Sequence, residues 1–235
     1  MTDTMTLNIG TWNIHMGIGT DGKRDLDRVA SIILALDVDC IALQEVDNRF
    51  VAGQPGELAT LAHKTGYEAI SGPTMHLRDG NYGNALLTRH PIGDIRFDDL
   101  SIEECEPRGL VEVDLLCDNA PVRIAATHLG LRRWERRQQI DRILRRMHSP
   151  KARRTILLGD FNEWWPWSQN LLRLKGPFRH SPAPPTFSSN WPFLALDRIL
   201  VSPDLKLKKY RVFKRPETRS ASDHLPLTAR IVVPR

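Results

Sequence analysis

The stretch TILLGDFNEW, residues 155–164, runs four strand-forming residues into an acid and an amide two positions apart. Thr155, Ile156, Leu157 and Leu158 read as a buried strand, and Gly159, Asp160 and Asn162 end it in residue types that favour turns. A turn alone does not call for a carboxylate beside so apolar a run. At the end of a buried strand a carboxylate is partly desolvated, which costs free energy unless a cation or a hydrogen-bond donor faces it. The reading therefore depends on what the other strand ends carry.

They carry the same chemistry. Asn13 and His15 lie in TWNIH, Gln44, Glu45 and Asp47 in LQEVD, and Asn84 in YGNALLTR. His128 follows in ATHLG, Asp197 in ALDRILV, and Asp223 with His224 in SDHLPL. Carboxylates, carboxamides and imidazoles dominate, with little lysine. Glu45, Asp160 and Asp223 with Asn13 and Asn162 would make an all-oxygen site, which suits Mg²⁺ or Mn²⁺. Zinc would ask for more nitrogen or sulfur at ligand spacing. His128 and His224 could donate to phosphate oxygens, with a carboxylate holding His224 in one tautomer and protonated.

Around these ends the chain reads as strands with few helices. Residues 7–13 alternate as a strand; Leu26, Val29, Ala30, Ile33 and Leu34 share a helical face after Asp25; Cys40 to Leu43 is a short strand. A second helix is expected over 56–63 and extended chain over 67–70 and 81–92. GLVEVDLLC (109–117) and PVRIAATHL (121–129) read as antiparallel strands joined at Asp118, Asn119 and Ala120. A basic helix spans 132–147 with Ile140, Ile143, Leu144 and Met147 inward, LDRILVS and LKLKKYRVF are expected to form a hairpin around Pro203 and Asp204, and LPLTARIVV closes the chain. Tight antiparallel joins exclude a simple parallel βαβ repeat and point to mixed sheets with helices outside.

At 235 residues and 41% hydrophobic, the chain has material for one large domain, and no linker divides it. Its apolar runs are too short for a membrane span of about 20 residues, and no secretory signal opens it. Cys40, Cys105 and Cys117 are widely spaced and odd in number, which suits reduced thiols of a cytoplasmic protein rather than a disulfide framework or a zinc cluster.

In their order, TWNIH, LQEVD, YGNALLTR, THLG, GDFN, LDRILVS and SDHLPL resemble the endonuclease/exonuclease/phosphatase superfamily, from about Leu7 to Val233. The resemblance implies a DNase I-like α/β fold: a four-layer sandwich of two mixed β-sheets flanked by helices, in one domain over 1–235. It implies metal-side roles for Asn13, Glu45 and Asp223, and catalytic roles for His128, Asp160, Asn162, Asp197 and His224. Asp160 would orient or deprotonate the attacking water, and Asp197 would pair with His224. Asn84 and Arg108 are weaker candidates for lining and phosphate contacts. Asp197 has a plain rival reading, an ion pair with the adjacent Arg198. His15, His63, His76, His90, His148 and His180 read as ordinary surface or packing residues.

Two features bear on substrate. Residues 131–154 hold ten Arg or Lys against two acids, a local net of +8 within a chain whose net charge is +5. Seven arginines (132, 133, 136, 137, 142, 145, 146) would cover the free circumference of this helix, set outside the sheets and away from the cleft. The other feature is aromatic: Trp164, Trp165 and Trp167 follow GDFN, and Trp191 precedes Asp197. Trp164 and Trp191 are expected to contact substrate, either by stacking on bases or at a lipid–water interface. The expectation is a Mg²⁺- or Mn²⁺-dependent hydrolase of phosphate esters, foremost a phosphodiesterase using an activated water. A nuclease and a lipid-directed phosphoesterase are the alternatives, with nucleic acid or anionic phospholipid as partner, and a catalytically inactive binding protein is the least favoured reading because the acid and histidine set is intact. The protein is expected to be a cytoplasmic monomer, able to reside at the membrane surface.

Overall fold

Two strands show how the layers arise. Along β1 (Thr4–Asn13), Leu7 and Ile9 face one side while Trp12 faces the other, both buried. β2 (Cys40–Asp47) repeats this, with Cys40 and Ala42 against Ile41 and Leu43. A strand apolar on both faces needs cover on both faces. The computed structural model describes residues 4–49, 55–117, 120–147, 154–179 and 183–234. The turn residues Asp118 and Asn119, the basic positions Lys151 and Arg153, and His148 and His180 lie outside them.

The inward faces of two sheets supply one cover. β1 and β2 join β3 (Glu68–Leu77), β4 (Gly80–Thr88), β10 (Lys206–Val212) and β11 (Leu227–Pro234) in a six-stranded sheet ordered β10-β11-β1-β2-β4-β3. β5 (Ile92–Asp99), β6 (Gly109–Cys117), β7 (Ala120–His128), β8 (Thr155–Asp160) and β9 (Asp197–Val201) form the other, in sequence order. Each sheet has a single parallel pair, β1 with β2 and β7 with β8, and is otherwise antiparallel. Leu7, Ile9, Leu86, Val113, Ile124, Ile156, Leu158 and Ile231 fill the space between the sheets. Outside the first lie α1 (Leu26–Leu36) and α2 (Glu57–Thr65); outside the second lie α3 (Arg133–Met147) and α4 (Gln169–Leu174). A last short helix, α5 (Pro216–Ala221), meets the α1 side through Ala221. The expected four-layer sandwich is observed.

Several local expectations change. β9 and β10 do not form a hairpin: they are edge strands of different sheets, and 202–205 carries the chain across the sandwich. Lys206, Lys208 and Lys209 are exposed on β10 at the edge of its sheet. In α1 it is Ile32 that is buried while Leu34 is exposed, because the helix also packs toward α2 and α5. β5, α4 and α5 had no sequence signal strong enough to be assigned. On α3, Arg136 is buried against Glu163 at 3.2 Å, Arg142 donates to the carbonyls of Asp99 and Ser101, and Arg146 meets Glu112 at 2.8 Å. Only Arg132, Arg133, Arg137 and Arg145 of the seven turn fully outward.

Gly159 is required where β8 ends. Its φ is +141°, and a Cβ there would lie 1.8 Å from the carbonyl oxygen of Thr127, its partner on β7. Gly159→Ala should therefore destabilise the protein by about 3 kcal/mol. Urea unfolding checks this, and an unchanged midpoint would refute the close approach.

Candidate active site

The register of the strands aligns the polar ends noted in the sequence. Asn13 is paired with Gln44 across β1 and β2, His128 with Asp160 across β7 and β8, and Asp160 with Asp197 across β8 and β9. Parallel pairing puts the carboxyl ends of both central pairs at one edge of the sandwich, and the antiparallel β9 starts at that edge. β11 runs antiparallel to β1, so Ser222, Asp223 and His224, just before it, come back beside Asn13. The Ser222 hydroxyl fixes that return, donating to the Asn13 carbonyl at 2.7 Å and accepting from the His224 N–H at 3.1 Å. The indole of Trp12 adds a donor to the His224 carbonyl at 2.9 Å.

One oxygen gathers the groups. Asp160 Oδ2 lies 3.3 Å from Asn13 Nδ2, 3.5 Å from His128 Nε2 and 3.6 Å from His224 Nε2. The other oxygen, Oδ1, accepts the Asn162 N–H at 2.9 Å, which is possible because Asn162 takes a left-handed φ of +49° that turns the chain back. The Asn162 amide then reaches Leu129 O at 2.8 Å and His128 Nε2 at 3.1 Å. Since a carbonyl must be met by a donor, Leu129 orients that amide with its NH₂ toward His128, whose Nε2 accepts.

The two histidines are in opposite charge states. Burial lowers the pKa of His128 to about 3, against the pull of Asp160, so its ring is neutral at pH 7. Burial acts the same way on His224, but the carboxylates of Asp197 and Asp160 outweigh it and raise that pKa to about 10. His224 Nδ1 lies 2.8 Å from Asp197 Oδ2, an oxygen that also accepts from Thr186 Oγ1 at 2.6 Å. Asp197 Oδ1 is buried without a partner. The rival ion pair with Arg198 is not made; that guanidinium turns to the carbonyls of Glu163 and Ala195.

Glu45 sits across from this pair on a bulge. β2 and β4 pair up to Leu43 and resume at Val46, and Glu45 adopts a φ of +58°, an uncommon conformation for a residue with a side chain. The bulge keeps Val46 on the helix-facing side and frees Glu45 to accept from Asn13 Nδ2 at 2.8 Å. Burial raises its carboxyl pKa, partly opposed by the Asn13 bond, and the nearby Asp223 and Asp160 raise it further. Tyr82 stands beside Glu45, and burial together with the Glu45 charge pushes its hydroxyl pKa up; the sequence reading missed it although Tyr82 stands two residues before Asn84.

Asn13, Glu45, His128, Asp160, Asn162, Asp197, Asp223 and His224 are thus neighbours at one strand-end cleft. Asp160, Asp197 and His224 offer ligand atoms all within 4.8 Å of one another, a set that could hold a divalent cation. Asn84 is buried and ties the sheets together by donating to Gly109 O at 3.2 Å. Arg108 is buried, pairs with Glu106 at 2.9 Å, and its charge helps to lower the His128 pKa. Trp164 and Trp191 stand exposed on loops at the rim, Trp164 edge-on to Trp165 at 5.6 Å.

Two face-to-face mixed sheets with acids and imidazoles gathered where their strand ends meet define a DNase I-like α/β sandwich. The chain belongs to the endonuclease/exonuclease/phosphatase family, whose model matches residues 10–224. It is 26% identical over 253 residues to the protein YbhP of Escherichia coli (strain K12), covering 98% of each chain. Among solved structures it resembles an endonuclease/exonuclease/phosphatase family protein of Bacteroides thetaiotaomicron, with a TM-score of 0.81, 19% identity and coverage of 99% of this chain and 100% of that one. It is also similar to a mannosyl-6-phosphatase of Bacteroides thetaiotaomicron VPI-5482, with a TM-score of 0.78, 19% identity and coverage of 96% and 99%. The two structural likenesses are likenesses of fold.

Proposed function

We propose that this protein is a metal-dependent phosphoesterase, foremost a phosphodiesterase, that hydrolyses its substrate by in-line attack of water. The observation that carries the reading is Asp160: a buried carboxylate oxygen facing Asn13, a neutral imidazole and an imidazolium. Asp160 would orient the attacking water and take its proton. His224, kept cationic by Asp197, would donate from Nε2 to a non-bridging phosphoryl oxygen, where negative charge grows in the transition state. His128 would line the same site as a neutral ring, its Nε2 held by the Asn162 amide at 3.1 Å, which leaves His224 as the imidazole donor. Asp197 is a positioning residue, acting through His224.

The donor set fits a hard cation. Glu45 and Asp223 offer carboxylate oxygens, while Asn13 turns its NH₂ to Glu45 and its Oδ1 to the His15 N–H at 3.0 Å. Burial and the neighbouring acids raise the pKa of the part-buried Glu45 carboxyl, a repulsion that a divalent ion would relieve. Asp160, Asp197 and His224 are the other metal-capable group, but there the imidazolium already stands between the acids. Mg²⁺ or Mn²⁺ on the Glu45 side would supply Lewis-acid neutralisation of the phosphoryl and leaving oxygens. The apolar layer shared by both sheets supports reading the chain as one domain.

Hydrolysis of bis(p-nitrophenyl) phosphate and of p-nitrophenyl phosphate, with and without EDTA, tests the reading. Chelation should abolish activity and added Mg²⁺ or Mn²⁺ restore it, with the diester favoured. The mannosyl-6-phosphatase likeness makes a monoester the second reading, supported by a reversed preference. Hydrolysis indifferent to EDTA, or no hydrolysis of either ester, would refute the proposal.

A further inference from the structure

The rim of the cleft carries apolar side chains that the proposed chemistry does not use. Trp165 is 50% exposed, Trp167 71%, Trp191 84%, Phe193 70% and Leu131 71%. They lie on three loops that meet beside the site. The first, 163–168, leaves Asn162 directly. The second, 188–196, is joined to it by the Phe161 N–H to Leu196 O bond at 2.9 Å and by Arg198 donating to Glu163 O at 2.7 Å. The third, 129–132, follows His128 and is held to the first by Arg136, which meets Glu163 and the carbonyls of Gly130 and Leu131.

Cations flank this apolar rim. α3 begins at the cleft edge, contrary to the expectation that it stands wholly apart. Its first turns expose Arg133 and Arg137, which with Trp134, Leu172 and Arg173 line a groove of about 720 Å³ between α3 and α4. Arg132 lies over the Trp134 ring at 5.9 Å. Residues 164–168, WWPWS, contain no acid.

We infer that this rim docks the protein on an anionic phospholipid bilayer, with the aromatic loops in the interface and the arginines against headgroup phosphates. The inference deepens the phosphoesterase reading and rests on it for the substrate class, since docking would present the cleft to lipid phosphoesters. Tryptophan favours the bilayer interface, and basic residues near an anionic surface add electrostatic attraction to it. Geometry favours a bilayer over single-stranded nucleic acid. Trp164, Trp165 and Trp167 pack edge-on to each other, at 89° and 73°, forming an apolar knob instead of the open, parallel faces that successive bases stack on. Leu131 offers no ring at all. No helix among the described residues is long and apolar enough to cross a membrane, so the attachment is peripheral.

Vesicle flotation in EDTA tests docking apart from catalysis. The probes are vesicles of phosphatidylcholine alone and of phosphatidylcholine with phosphatidylglycerol; a single-stranded oligonucleotide serves as competitor. The wild type should float with the anionic vesicles only, and its tryptophan emission should shift to shorter wavelength. Trp165→Ser/Trp167→Ser, and separately Arg133→Glu/Arg137→Glu, should each weaken binding by about tenfold or more. Both variants should hydrolyse bis(p-nitrophenyl) phosphate as the wild type does, so a failed docking result is distinguishable from a failed enzyme. Absence of wild-type flotation, undiminished binding by both variants, or oligonucleotide binding that these substitutions abolish while vesicles are ignored would each overturn the inference.

Discussion

His224→Gln should lower kcat on a soluble phosphodiester by about 10²–10³-fold, the usual cost of losing one donor to developing charge. The fold should survive, because the backbone bonds of residue 224, to Ser222 Oγ and from the Trp12 indole, do not involve its side chain. The imidazolium also has a pH signature. A histidine with its pKa raised to about 10 keeps its proton below that value and loses it as pH rises through it. Activity that depends on this donor should fall on the alkaline side. Asp197→Asn removes the nearest counter-charge, so that limb should move down toward the ordinary histidine range near 6.5. A pH–rate profile checks both statements. An alkaline limb unmoved by Asp197→Asn would separate Asp197 from the imidazolium, and near-normal turnover of folded His224→Gln would remove the histidine from the chemistry.

Asp160→Asn should be at least as damaging, lowering kcat by about 10³-fold or more. The substitution is chosen for what it keeps. Asparagine retains Oδ1, so the 2.9 Å bond from the Asn162 N–H and the turn beyond β8 can persist. It exchanges the carboxylate oxygen facing Asn13, His128 and His224 for an amide nitrogen that cannot take a proton from water and cannot accept from the Asn13 and His224 donors. Circular dichroism and urea unfolding should therefore stay close to wild type while turnover collapses. If turnover instead stays within a fewfold of wild type, water activation belongs to another group.

The outcome for particular residues shows where sequence reasoning worked. Mixed sheets with helices outside were legible from apolar runs of strand length and their tight antiparallel joins, while the four-layer sandwich was implied by the resemblance of the ordered motifs to the endonuclease/exonuclease/phosphatase superfamily. That resemblance also implied a shared site for Asn13, Glu45, His128, Asp160, Asn162, Asp197, Asp223 and His224, and the structure sets these residues side by side. Sequence reasoning failed for Arg136 and Arg146, since an arginine destined for a buried acid looks the same along the chain as one destined for water. It also missed Tyr82, because a tyrosine within a strand carries no local mark of the carboxylate it will face. The hairpin assignment of β9 and β10 failed for a related reason: a short polar connection is compatible both with a turn and with a step between sheets, and only the competition for edges decides.

The chain alone therefore determined which kinds of side chain end which strands, because periodicity and turn chemistry are local properties, and the resemblance carried by its ordered motifs implied the layers and the family. Tertiary structure decided the charge on each imidazole. His128 and His224 are the same residue, both buried, and what separates them is the close pairing of His224 with Asp197, a carboxylate 27 positions away in the chain and 2.8 Å away in space. Protonation depends on distances through the folded interior, which no reading along the chain can supply.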